Sequence, residues 1–136
     1  MTGCIFCKII NGDLPCAKIF EDERVVSFLD INPIHVGHAL VVPKRHYATL
    51  FEIPEDDLLA CGTVFRRIAA AVYKATNASG LNLLQNNHRA AGQVIDHIHF
   101  HLIPRFRGDV FLGPWPGKPC PQQELDKMLD KIRAVL

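Results

Sequence analysis

A chain of 136 residues that is 49% hydrophobic and 21% charged has the usage of a globular protein and the length of one domain, expected here over 1–136. This composition excludes a disordered or collagen-like polymer. Fifteen Lys and Arg against fourteen Asp and Glu leave a formal charge of +1, so nucleic acid and anionic membrane are not expected partners, and any bound phosphate must be held by local geometry.

In chain order, residues 4–11 around Cys4-Ile5-Phe6-Cys7 predict a short helical or turn segment closed by Asn11-Gly12. Two short strands follow at 18–21 and 25–29, split by the acidic turn Glu21-Asp22-Glu23. Residues 30–37 read as loop from their Asn-Pro and Gly, and 38–43 as a strand that stops at Pro43, just before Lys44-Arg45-His46. The clearest helix spans 54–77, where Leu58, Cys61, Phe65, Ile68 and Val72 recur at three- and four-residue spacing, while Asp57, Arg66, Arg67 and Lys74 fall mostly elsewhere. Pro54 and three acidic residues suit its first turn, and Asn77-Ala78-Ser79-Gly80 suits its end. Strand-like 81–87, a glycine-containing loop at 88–93 and a strand at 97–104 come next. A Gly/Pro-rich segment (105–121) around Trp115 then leads to a last amphipathic helix with Leu125, Met128, Leu129 and Ile132 on one side. This order predicts an α+β protein: a mainly antiparallel sheet with one long helix and a C-terminal helix.

No apolar run approaches the length of a membrane span, and the first residues lack a basic stretch followed by an apolar one. Five Cys is an odd count, and Cys4 and Cys7 are too close for the usual framework of a secreted mini-protein. A soluble, cytoplasmic protein in a reducing compartment is expected.

Seven His is the unusual count, and three of them fall in His97-Ile98-His99-Phe100-His101. On a strand the imidazoles line one face while Ile98, Phe100 and Leu102 enter a core on the other. Three readings compete: incidental histidines on a half-exposed strand; a zinc-dependent hydrolase using all three as metal ligands; or nucleophilic catalysis on phosphate. In the last, a neutral imidazole supplies the lone pair and a neighbour stabilises negative charge. Cys4-x-x-Cys7 lacks the preceding strand of a redox motif, but supplies half of a tetrahedral zinc site whose other half must come from elsewhere.

The run His97-Ile98-His99-Phe100-His101-Leu102-Ile103 resembles the His-x-His-x-His signature of the histidine triad (HIT) family of nucleotide hydrolases and transferases. Asp30-Ile31-Asn32-Pro33, Gly37-His38 through Pro43-Lys44-Arg45-His46, Asn86-Asn87 and Ala91-Gly92-Gln93 sit in that family's order and spacing, and Cys4-Ile5-Phe6-Cys7 looks like the start of its bacterial-type members. The resemblance covers roughly 4–107 and implies a HIT-like fold and a homodimer. It implies that His99 attacks the α-phosphorus of a purine nucleotide conjugate, forming a nucleotidyl-histidine that water resolves to release AMP or GMP. In that scheme His101 and His38 donate to the phosphate or leaving group. Asn86, Gly92 and Gln93 contact phosphate or leaving group, Asp30 binds ribose hydroxyls, and Ile31 and Phe6 wall the base, Phe6 reading equally well as plain core. Zinc-containing relatives pair such cysteines with a histidine after the Pro-Lys strand end and with the first of the triad. The implied structural Zn²⁺ set is therefore Cys4, Cys7, His46 and His97.

The implied leaving group is an amine, as in a nucleoside phosphoramidate, or a nucleotide, as in a dinucleoside polyphosphate. Pro104-Arg105 with Gly108-Asp109 favours the second and the Asp30-to-His46 block suits the first. A nucleotide-binding sensor with incidental catalysis is the other class of reading. His88 departs from the family pattern, standing where glycine would suit a positive φ. Arg105 and Arg107 read as a solvated edge, His35 as a loop residue, and Asp96 has no assigned role.

Overall fold

A computed structural model describes residues 3–109 and 117–136. Trp115 and the centre of the Gly/Pro-rich segment lie outside the described residues. The elements are α1 (Ile5–Ile10), β1 (Lys18–Glu21), β2 (Val25–Leu29), β3 (Ala39–Pro43), α2 (Glu55–Thr76), β4 (Gly80–Leu84), a single 3₁₀ turn (Arg89–Ala91), β5 (Phe100–Arg105) and α3 (Gln122–Ala134). The strands form one antiparallel sheet in the order β1-β2-β3-β5-β4, which places the last strand beside β3 near the middle of the sheet.

Local chemistry accounts for most of these boundaries. Asp22 closes the β1–β2 turn by accepting the amides of Arg24 and Val25 at 2.8 Å each. Glu55, Asp56 and Asp57 lie in the first turn of α2, against its positive end, and Asn77 ends the helix in the left-handed conformation at φ 55°. Asp57, expected mostly off the apolar stripe, is instead buried. Its carboxylate accepts the Tyr47 hydroxyl at 2.6 Å and faces Arg24 Nε at 3.2 Å, so burial leaves it partnered.

The two faces of the sheet bury different things. Val25, Leu29, Ala39, Val41, Ile98, Phe100 and Leu102 face α2 and α3 in the larger core. Val26, Phe28, Leu40 and Val42 form a second cluster with Phe6 of α1. The long helix therefore covers one face as its periodicity predicts, and the short cysteine-bearing helix closes the other. Among the described residues no helix is long and apolar enough to cross a membrane.

Candidate active site

The histidine run differs in one respect from its predicted form. Regular pairing begins at Phe100, so only His101 lies within β5, while His97, Ile98 and His99 lead into it. The alternation nonetheless persists. Ile98, Phe100 and Leu102 join the α2 core, while His97 and His99 turn to the other side, where Phe6 meets both rings edge-on. This stretch before the ladder is bonded elsewhere: the Ile98 amide bonds the Tyr47 carbonyl at 2.7 Å, and the His97 ring bonds the Pro43 carbonyl at 2.8 Å.

Cross-strand register brings His38 into the same site. His101 pairs with Leu40 of β3, and His38, two residues before Leu40, reaches it diagonally on the same face. The bonds around these rings fix where each proton sits. The Ile34 amide donates to His38 Nδ1 at 3.1 Å, so the His38 proton is on Nε2. That N–H donates to His101 Nδ1 at 2.9 Å, which leaves the His101 proton on its own Nε2. His99 is oriented oppositely. Its Nδ1–H donates to the His97 carbonyl at 2.7 Å, so the lone pair is on Nε2. The site thus contains one imidazole with its Nε2 lone pair available and another with an Nε2–H donor, their ring centroids 4.8 Å apart.

Burial keeps these rings neutral. It lowers the His38 pKa to about 4 against the pull of Asp30, whose carboxylate lies 3.6 Å from His38 Nε2. Burial also lowers His99, opposed by its bond to the His97 carbonyl and by Asp30, and lowers His101, with His99 and His38 adding to the effect. A neutral imidazole at physiological pH is a nucleophile; an imidazolium is not. Asp30 itself is half-buried, and its Oδ1 accepts the Asn32 amide at 2.9 Å. Ile31 beside it is 60% exposed.

The second cluster lies at the other end of the histidine run. Cys4, Cys7, His46 and His97 offer ligand atoms that all fall within 4.8 Å of one another. The His97 ring donates Nε2–H to Pro43, which frees Nδ1 as a lone pair directed at this cluster. Nδ1 stands 3.4 Å from Cys4 Sγ, 3.6 Å from Cys7 Sγ and 3.1 Å from His46 Nδ1, and Cys7 Sγ is 3.4 Å from His46 Nδ1. Four N and S ligands bonded to one tetrahedral zinc at about 2.0–2.3 Å stand about 3.3–3.8 Å apart, so the donor set fits that ion in identity and spacing. α1 builds half of it: Cys4 is the N-cap and its sulfur accepts the Cys7 amide at 3.4 Å. The five cysteines form no disulfide.

Among the described residues, no metal-type cluster contains His97, His99 and His101 together. The three-histidine metal site therefore has no counterpart in the geometry. His97 belongs with the cysteines, His101 with His38, and His99 with the backbone.

The loop at 85–93 is held by Gln93. This residue is 2% exposed, and both ends of its amide are engaged: Nε2 donates to the Ala48 and Ile95 carbonyls at 2.6 and 3.0 Å, and Oε1 accepts the His88 amide at 2.7 Å. Its side chain thus shapes the loop from within. Asn86 is half-buried, with its amide 3.6 Å from the place a Cβ on Gly92 would occupy, and Gly92 itself has φ 91°. His88 has φ 70° and ψ 161°, a region that favours glycine, and stacks on the exposed Phe51 with ring centroids 5.9 Å apart. Phe6 is 4% exposed, packed on Phe28 as well as on the two histidines, so the structure favours its core reading. Asp96 pairs bidentately with Arg89 at 3.1 and 3.2 Å, and Arg105 with Asp109 at 2.8 and 2.6 Å. His35 is exposed and packs on Phe106. Two groups that set ring tautomers, the Pro43 carbonyl and the Ile34 amide, went unread in the sequence, because a backbone group has no residue-type signal.

Three alternating histidines leading into β5 of an antiparallel sheet, with a fourth placed just before the neighbouring β3, define a histidine-triad protein. The chain belongs to the HIT domain family, whose model matches residues 11–108. An adenosine 5′-monophosphoramidase of Candida albicans is 41% identical over 140 aligned positions, covering 99% of this chain and 92% of that protein. An adenylylsulfatase of Arabidopsis thaliana is 48% identical over 135 positions, covering 99% of this chain and 66% of that protein. A zinc-bound histidine triad protein of Mycobacterium smegmatis superposes with a TM-score of 0.87 at 35% identity, covering 98% of this chain and 93% of that one.

Proposed function

We propose that the protein is a nucleotide hydrolase or transferase that cleaves the α-phosphate linkage of a purine nucleoside phosphoramidate or dinucleoside polyphosphate. The observation that carries this reading is the 2.7 Å bond from His99 Nδ1–H to the His97 carbonyl, which commits the Nε2 lone pair to attack. A P–N bond forms to His99 as the bond to the leaving group breaks; water then attacks phosphorus and releases His99 and the nucleoside monophosphate. His101, with its proton on Nε2, donates to the phosphate or leaving group, and His38 sets that tautomer through its own Nε2–H. Asp30 accepts the ribose hydroxyls, and Ile31 faces the base. The Candida relative is named for an adenosine phosphoramidate and the Arabidopsis relative for an adenylyl sulfate, which favours an adenylyl group. Arg105 is held by Asp109 and Asn82, which weakens the case for a polyphosphate tail gripped there and favours the smaller leaving group.

Cys4, Cys7, His46 and His97 would hold a structural zinc, as the donor spacing and the zinc-bound Mycobacterium relative support. Bound there, zinc supplies a cross-link between α1, the end of β3 and the approach to β5, with no open position for substrate. Homodimerisation belongs to the same reading and rests on family resemblance.

The test is a side-by-side rate comparison of adenosine phosphoramidate and diadenosine polyphosphate with wild type and His99→Ala, together with mass-spectrometric trapping of the phosphorus–nitrogen adduct. Turnover of either substrate that His99→Ala abolishes supports the enzyme. Binding of AMP with equal background rates in both proteins would instead identify a sensor.

A further inference from the structure

Three polar groups of His97 are each tied to a different part of the protein. Its Nδ1 points into the Cys4–Cys7–His46 cluster, its Nε2–H bonds Pro43, and its backbone carbonyl accepts the Nδ1–H of His99. Phe6 supplies a second link. It lies between the two cysteines in sequence, on the helix they anchor, and its ring meets His97 at 5.9 Å and 74° and His99 at 5.0 Å and 83°. Both links run from the four-ligand cluster to the same imidazole.

The cluster is also accessible. Cys4 and His46 line a surface cleft of about 400 Å³ together with Val94, Ile95 and Asp96, while His97 is fully buried.

We propose that His97 and Phe6 are positioning residues that couple occupancy of the Cys4–Cys7–His46–His97 cluster to the orientation of the His99 ring, so that available zinc sets how much of the protein is competent for attack. This inference rests on the reading of His99 as nucleophile and of the cluster as a zinc site. With the cluster filled, His97 cannot rotate and its carbonyl stays aimed at His99 Nδ1. Phe6 is then pressed edge-on against the other side of that ring. With the cluster empty, two thiols and two imidazoles lose their common partner, the first turn of α1 loosens, and His99 can exchange the Nδ1–H tautomer for Nε2–H, which blocks its lone pair.

The experiment compares the full chain loaded with zinc and stripped by chelation, wild type and Phe6→Ala, by ¹⁵N spectra of the histidine rings alongside steady-state kinetics. The expected result is a single Nδ1–H tautomer for His99 in the zinc-loaded protein and a mixture after stripping. Stripping should also cut kcat about ten- to hundredfold with KM within about twofold, reversed by adding zinc back. Phe6→Ala with zinc bound should lower kcat in the same sense and broaden the His99 ring signals, and Phe6→Leu, which restores bulk, should recover part of the loss. The coupling is overturned if the stripped, folded protein keeps the His99 tautomer and its kcat. Should stripping unfold the chain, zinc-loaded Phe6→Ala decides alone, and unchanged His99 signals and kcat overturn it. Absence of turnover in zinc-loaded wild type would sink the enzymatic reading, while the ring spectra would still report the coupling.

Discussion

His97 and His99 are separated by one residue and turn to the same side of the sheet, yet they present opposite nitrogens. The His97 ring gives its Nε2 proton to the Pro43 carbonyl and offers Nδ1 to two sulfurs and His46; the His99 ring gives its Nδ1 proton to the His97 carbonyl and offers Nε2. In each case the choice is made by a backbone oxygen, since a neutral imidazole that donates from one nitrogen must offer the other as acceptor. On the proposed reading, the same side chain serves as a metal ligand or as a nucleophile according to which carbonyl lies beside it.

The sharpest separation of the two clusters is His99→Ala, expected to lower turnover by at least about 1,000-fold while zinc stoichiometry, measured by metal analysis, is unchanged. Loss of zinc together with loss of activity would show that the two ends of the run are not independent in binding. Cys4→Ser is the converse. It should abolish stoichiometric zinc and remove the stabilisation that a filled site contributes, about 4 kcal/mol at free zinc a thousandfold above its Kd, read from denaturant midpoints with and without metal. His38→Ala should lower kcat about 100-fold by releasing the His101 tautomer, and His38→Gln, whose amide N–H can still donate to His101, should recover part of it.

A smaller effect is expected from pH. The folded pKa values of His38, His99 and His101 lie below the ordinary imidazole value, with His38 at about 4, so the unfolded chain binds more protons as pH falls. Stability from this group is therefore fully present above pH ~6.5 and is lost as pH drops toward about 4. Zinc-free protein, assayed by urea unfolding across that window, should show the loss; a flat profile would mean that these rings are solvated. The smallest change should come from outside both clusters. His88→Gly relieves a positive φ and forfeits the Phe51 stack, for a net stabilisation of at most about 1 kcal/mol, measurable as a small rise in Tm.

Much of this was legible in the residues. The alternation of His97 to His101 placed three imidazoles on one side before any fold was known, and the glycine-like demand at His88 was legible as a departure from pattern. The helix at 54–77 was clear because its stripe has helical period. Gln93 was less legible: the family resemblance implies a phosphate contact, while in the structure both ends of its amide bond backbone groups, a fact that depends on where His88, Ala48 and Ile95 come to lie. Asp57 was misplaced on the exposed side because its partners Tyr47 and Arg24 come from distant segments.

The sequence by itself determined the element order, the family and the candidate site residues, since these depend on residue type and short-range spacing. Tertiary structure decided half of the protonation pattern. The tautomers of His99 and His38 are set by backbone groups two and four residues away in the chain, whereas those of His97 and His101 depend on the Pro43 carbonyl and on His38, which strand register brings near. The pairing of β3 with β5 aligns His38 on His101, and the packing of α1 on the sheet delivers Cys4, Cys7 and Phe6 to His97 and His99.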